Sequence, residues 1–192
     1  MHVVFDSDSK GHQYEMIKQR FKDDCGSASV AMTEMYYKSH FDRGAEDRAV
    51  SFAHMVKGDL LKWDSSINNL TSPLDQIACL VSEDVDARYH YFHKNAIGRI
   101  GSFLSHNVHA KKHRRTPAIL SLRWDTKDDS FHAIVCIRVY HDSIVFLDPC
   151  YGLVEMPVSS LPAYESPVLD TAGMFTGSVV YTVQPASPKK SN

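Results

Sequence analysis

"FHAIVCIRVYHDSIVFLD", residues 131–148, is the stretch that decides the architecture. Its first ten residues, 131–140, are an almost unbroken apolar run, as in a strand buried on both faces. A short His141-Asp142 turn follows, and "SIVFLD" (143–148) resumes the β-branched and aromatic pattern, so the two runs read as a hairpin. Working outward, "PAILSLRW" (117–124) is apolar and β-capable, and "GSVVYTV" (177–183) reads as a last strand. The C-terminal half is therefore expected to be an antiparallel sheet.

Ahead of the sheet the period is helical. From Gly26 onward, Ala28, Ala31, Met32, Met35 and Tyr36 recur at spacings of three and four, which is one helix face. Asp23 or Asp24 can cap its first turn, and Gly44 punctuates it. "AEDRAVSFAHMV" (45–56) reads as a second helix. "SPLDQIACLV" (72–81) reads as a third, with Ser72 as cap, Pro73 at the first helical position and Asp75 in the first turn. "AIGRIGSFLSHNV" (96–108) is a fourth, its propensity lowered by two glycines. The first twenty residues are polar and are expected to be irregular. Helices first and strands second mean an α+β fold, a helical N-terminal half packed on a C-terminal antiparallel β-sheet. Without an internal repeat or a linker, residues 1–192 are expected to form a single domain, flexible at 1–13 and 185–192.

Bulk composition excludes several classes. The chain has 192 residues, 43% hydrophobic and 23% charged, values of a soluble globule rather than a disordered or membrane-spanning chain. A formal net charge of −2 argues against nucleic acid as the main partner. The N-terminus "MHVVFDSDSKGHQ" lacks the basic start and apolar stretch of a secretory signal. Cys25, Cys79, Cys136 and Cys150 make no CxxC pair, so free thiols in a reducing, cytoplasmic compartment are expected. Export by a dedicated bacterial secretion machine would leave the same sequence.

The chemistry-bearing residues are spread along the chain. Cys25, in "FKDDCGSAS" (21–29), sits where a loop turns into a helix, and the field of unpaired N–H groups there favours a thiolate. Gln19, six positions earlier, carries an amide able to donate to an oxyanion, although Gln13 competes for that role and a solvated glutamine reads equally well. His132 opens the central strand, and Asp148 ends the next one, so a tight hairpin brings the carboxylate near the imidazole. Thiolate, imidazole and orienting carboxylate are what acyl transfer needs. Each residue also has a plainer reading: Cys25 as a packed thiol, His132 as a satisfied core histidine, Asp148 as a turn cap before Pro149. The polar flanks of Cys25 and the hairpin spacing of His132 and Asp148 count against those.

Gln19, "DDCGSAS", "FHAIVCI" and "VFLDPCYG" together resemble a papain-like cysteine peptidase, and most of all the bacteriocin-processing peptidase domains of ABC exporters. Asp148-Pro149-Cys150-Tyr151-Gly152 is similar to the aspartate-proline-x-x-glycine turn of those domains. The order Cys, His, Asp also resembles that of papain-like bacterial effector proteases and of phytochelatin synthases. The resemblance covers roughly residues 14–36 and 115–152, and residues 40–115 match no motif. The Cys25-to-His132 separation is longer than in the exporter domains and nearer the effector and synthase classes. The resemblance implies Cys25 as nucleophile, His132 as general base, Asp148 as its orienter and Gln19 as oxyanion donor. It implies a cysteine protease, a thiol hydrolase that cleaves amide bonds of a protein substrate without a cofactor, with an effector or virulence role against target-cell proteins. Glutamine deamidation or acyl transfer would use the same residues, and a binding module keeping the fold without turnover is the reading from another class.

Two other clusters stand out. "KKHRR" (111–115) is a basic run, read either as a solvated loop or, through Lys111, Lys112, Arg114 and Arg115, as a contact for an acidic or phosphate-bearing partner. His106, His109 and His113 fall at helical spacing, but no acid or cysteine completes a site, so no metal is expected. Cys79, Cys136 and Cys150 read as structural thiols.

Overall fold

A computed structural model describes residues 2–20, 24–57, 72–111, 114–124, 131–165 and 172–184. Its elements in order are β1 His2–Ser7, β2 Gln13–Lys18, α1 Cys25–Lys38, α2 Ala45–Lys57, α3 Pro73–Ser82, β3 Ala87–Tyr91, a 3₁₀ turn Lys94–Arg99, α4 Ile100–Asn107, β4 Ala110–Lys111, β5 Arg114–Arg115, β6 Ala118–Trp124, β7 Phe131–Val139, β8 Ser143–Asp148, β9 Gly152–Pro157, a 3₁₀ turn Val158–Ser160, β10 Ala163–Glu165 and β11 Ala172–Thr182. The fold is α+β. The main sheet runs β10-β11-β6-β7-β8-β9, with β3 beside β11, and these strands all pair antiparallel.

Side-chain alternation divides the core between the two faces of this sheet. Ile119, Ala133, Val135, Ile137, Val145 and Leu147 face one side and pack on α1, α2 and α3. Ala118, Leu120, Leu122, Ile134, Cys136, Ile144 and Phe146 face the other and pack on α4, β9, β10 and part of β11. The near-continuous apolar character of β7 and β8 follows, because both of their faces are dry. Each such Leu or Ile contributes about 1.5–3 kcal/mol by leaving water.

α1 is the central helix. Every residue from Cys25 to Met35 is buried, which explains its small polar side chains: Ser29 Oγ donates to the Ala133 carbonyl at 3.0 Å and ties α1 to β7. Buried Glu34 accepts from Lys38 Nζ at 2.9 Å and from Arg48 Nη2 at 2.7 Å, joining α1 to α2. Asp24 holds the N-cap position, and the helix closes at Ser39 in the left-handed region rather than at Gly44. α3 starts as its sequence implies, with Ser72 Oγ accepting the Leu74 N–H at 3.2 Å and Pro73 in the first turn.

Several expectations are corrected. The first twenty residues, expected to be irregular and partly flexible, contain the β1–β2 hairpin. Tyr14, Met16 and Ile17 are buried there, and Ser9 clamps the hairpin to Glu155 of β9 through its N–H at 2.8 Å and its hydroxyl at 2.9 Å. Helices do not all precede strands, since β1, β2 and β3 lie before α4. α4 packs on the face opposite α1, and the fourth helix begins as a 3₁₀ turn before its α-helical part. Residues 185–192 lie outside the described residues. Among the described residues no helix is long and apolar enough to cross a membrane.

Candidate active site

The site forms at one end of the sheet, where β7 begins, β8 ends and α1 starts. A register shift between Cys136 and Arg138 decides its chemistry. On one side of the shift Val139 pairs with Ile144, and on the other Val135 pairs with Leu147. The extra residue in β7 is a bulge. It restores parity, so that Asp148 shares a face with His132; without it, Asp148 would stand opposite Val135 and point to the other side.

His132 and Asp148 are both buried, at 7% and 0% exposure. His132 Nε2 lies 2.8 Å from Asp148 Oδ1. The same oxygen accepts the N–H groups of Cys150 at 2.8 Å and Tyr151 at 3.1 Å, and Oδ2 accepts the Tyr164 hydroxyl at 2.7 Å. The Asp148-Pro149-Cys150-Tyr151-Gly152 turn thus folds onto its own first side chain. It closes at Gly152, whose φ of +105° disfavours any residue with a side chain. Burial pushes the Asp148 carboxyl up, but the hydrogen bond and charge of His132, with Tyr164 and the Tyr151 N–H, outweigh it and hold the group below the usual carboxylate value.

Cys25, the first residue of α1, is 5% exposed and hydrogen-bonds the His132 ring. With Nε2 engaged by Asp148, Nδ1 is the nitrogen left for sulfur. Burial pulls the imidazole's basicity down; the hydrogen bonds to Asp148 and Cys25 and their charges raise it to about 10. Two aromatic rings enclose the imidazole, Trp124 at 5.6 Å between centroids and Tyr151 at 6.2 Å.

Gln19 follows β2 directly, and its N–H donates to the Pro149 carbonyl at 3.0 Å. Lys18 Nζ donates to the Cys150 carbonyl at 2.8 Å. These bonds stitch the end of β2 to the Asp148 turn. Gln13 lies at the other end of β2, roughly 20 Å away at ~3.3 Å per residue, so it does not share this site.

The basic run lies elsewhere. Lys111 is exposed on β4, Arg115 is half-buried on β5, and Ala110 and Arg115 pair across a small hairpin rather than forming a solvated loop. Arg114 belongs to that hairpin, and Lys112 lies outside the described residues. Among the described residues no three His, Cys, Asp or Glu side chains gather around a common point for a metal. His109 stands beyond the end of α4, and His113 lies outside the described residues. Cys79 and Cys136 are buried, and burial pushes both thiols up, Cys79 to about 12. Cys150 departs from the structural reading, because it is exposed. Tyr164 and Trp124 were not singled out by sequence reasoning; an aromatic pair in separate strands gives no spacing signal.

No protein-family model and no curated protein matches the sequence. Solved structures do match in fold. A double-glycine-motif protease from an AMS/PCAT transporter, crystallised with the leader peptide, superposes with a TM-score of 0.52 at 18% identity, over 88% of this chain and 91% of that one. The peptidase domain of Streptococcus ComA, a bifunctional ABC transporter of a quorum-sensing pathway, gives 0.51 at 13% identity, over 88% and 98%. A Bacillus anthracis protein described as a C39-like peptidase gives 0.50 at 12% identity, over 90% and 95%. The backbone that brings His132 between Asp148 and Cys25 is similar in fold to these three peptidase structures.

Proposed function

We propose that the chain is a single-domain cysteine peptidase that hydrolyses amide bonds of a polypeptide substrate. One observation carries this reading: a buried imidazole that bonds a buried carboxylate through one nitrogen and the thiol at a helix N-terminus through the other. The raised basicity of His132 favours a thiolate–imidazolium pair at rest. The Cys25 thiolate attacks the substrate carbonyl and forms the carbon–sulfur bond. The Cys25 N–H and the Gln19 amide hold the resulting oxyanion. His132 Nδ1 delivers its proton to the leaving nitrogen, the carbon–nitrogen bond breaks, and a thioester remains. Water then attacks the thioester, giving its proton to His132, and the acid product leaves with the thiolate restored. Asp148 keeps the ring oriented and offsets its charge throughout.

The fold likeness to a protease crystallised with a leader peptide supports an extended polypeptide as substrate. The test is incubation of native protein and Cys25→Ala with bacterial and host-cell lysates, followed by mass spectrometry. Proteins cut only by the native chain support the reading. A gain of ~1 Da without cleavage would instead mean side-chain deamidation by the same thioester chemistry. Identical profiles for the two proteins would overturn it and leave a binding module.

A further inference from the structure

At the far end of α1 from Cys25 lies a cleft of ≈ 360 Å³, a volume suited to a small ligand. Its walls come from the β1–β2 hairpin, the last turns of α1, the β4–β5 hairpin and the end of β7. Tyr36, on its wall, is eleven residues beyond Cys25, which is about 16 Å along the helix axis at ~1.5 Å per residue. A ligand here would not reach the thiol.

Two guanidiniums, Arg115 and Arg138, line this cleft together with Tyr14, Tyr36 and the side chain of Phe5, which is 71% exposed at the rim. Among the described residues neither guanidinium is in an ion pair with a carboxylate. Other arginines of the chain are: Arg48 is held by Glu34, Asp42 and Glu83, and Arg20 by Glu46 and Asp47. Arg138 places Nη1 3.3 Å from His12 Nε2, and its Nε is buried with no hydrogen-bond acceptor among the described residues. The Tyr36 hydroxyl in the same cleft donates to the Glu15 carbonyl at 3.0 Å. One carboxylate, Glu15, also lines the cleft, which leaves the guanidiniums in excess.

We propose that this cleft binds an anion carried on an apolar body, a carboxylate or phosphate seated on Arg115 and Arg138 with its apolar part against Phe5 and Tyr14. Planar guanidiniums pair well with both groups, and the aromatic rim supplies the apolar contact. The site is separate from the proposed peptidase centre and stands or falls independently of it. Either a free small acid or an acidic side chain of a bound polypeptide carries this chemistry.

Titration of the full chain with phenyl phosphate and with a blocked Glu-Phe dipeptide, followed by calorimetry and amide chemical-shift mapping, tests the proposal. Saturable binding is expected with Kd of about 0.1–1 mM, with shifts centred on Tyr14, Tyr36 and Arg138. Arg115→Gln and Arg138→Gln should each weaken it at least about tenfold, Arg138→Lys less, and added salt should weaken it further. Arg115→Gln stands in if loss of Arg138 disturbs folding. Tighter phenyl phosphate binding points to a free anion as the source, and tighter dipeptide binding to an acidic polypeptide segment. No saturation by either probe up to ~10 mM, or affinity unaltered in both glutamine variants, would overturn the proposal.

Discussion

Tyr164 donates its hydroxyl to Asp148 Oδ2 at 2.7 Å, while His132 holds Oδ1 of the same carboxylate at 2.8 Å. Tyr164 is fully buried, so this donor is not replaceable by bulk water. Tyr164→Phe keeps the ring and removes the bond. A hydrogen bond to a buried charge is worth about 1.5–3 kcal/mol, and that loss should appear in melting experiments. Asp148 has a lowered folded value, so its contribution to stability is present above the unfolded carboxylate value and is lost as pH falls through the folded one. In Tyr164→Phe the acid limb of both stability and activity should therefore move up, by about one pH unit. An acid limb identical to wild type would mean that Tyr164 only fills space.

His132 shifts the other way. Its folded value of about 10 lies above the ordinary histidine value of 6.5, so its contribution is complete below 6.5 and vanishes as pH rises through about 10. The melting temperature should fall between pH 7 and pH 10 more steeply in wild type than in His132→Gln. Parallel curves would show that His132 does not hold its proton in the folded chain.

The four thiols should separate in native alkylation. Cys150 is exposed, whereas Cys25, Cys79 and Cys136 are buried; of these three, Cys25 bonds the His132 imidazole, while burial pushes the thiols of Cys79 and Cys136 up. At pH 8, brief iodoacetamide treatment followed by peptide mapping should modify Cys25 and Cys150 and spare the other two by at least about tenfold. Labelling of Cys136 as fast as Cys150 would contradict the packing of β7.

Much of this was legible because α1, α3, β7 and β8 are buried on definite faces, and burial writes periodicity into sequence. The β1–β2 hairpin was not. Its polar look comes from Asp8, which is buried yet accepts the Tyr14 and Tyr140 hydroxyls at 2.7 and 2.6 Å, so a charge reads as loop where it is core. β3 was missed because four of its five residues are exposed, and "ARYHY" alternates nothing. The His132–Asp148 approach was anticipated from hairpin spacing alone. The actual approach depends on the bulge beside Ile137, a backbone feature with no residue signature here. Tyr164 depended on β10 pairing with β11, a contact that local pattern does not encode.

The central claim is that Cys25, His132 and Asp148 act as one unit. The measurement that tests it most directly is the pH dependence of Cys25 alkylation in wild type and in Asp148→Asn, read by peptide mapping with Cys150 as the internal reference. The helix terminus and the His132 imidazolium both favour the thiolate, so wild-type Cys25 should label readily at about pH 6, well below the ordinary thiol midpoint of ~8.5. In Asp148→Asn the midpoint should move up and turnover should fall further than labelling does. A Cys25 midpoint at the ordinary thiol value, unchanged in Asp148→Asn, would contradict the account.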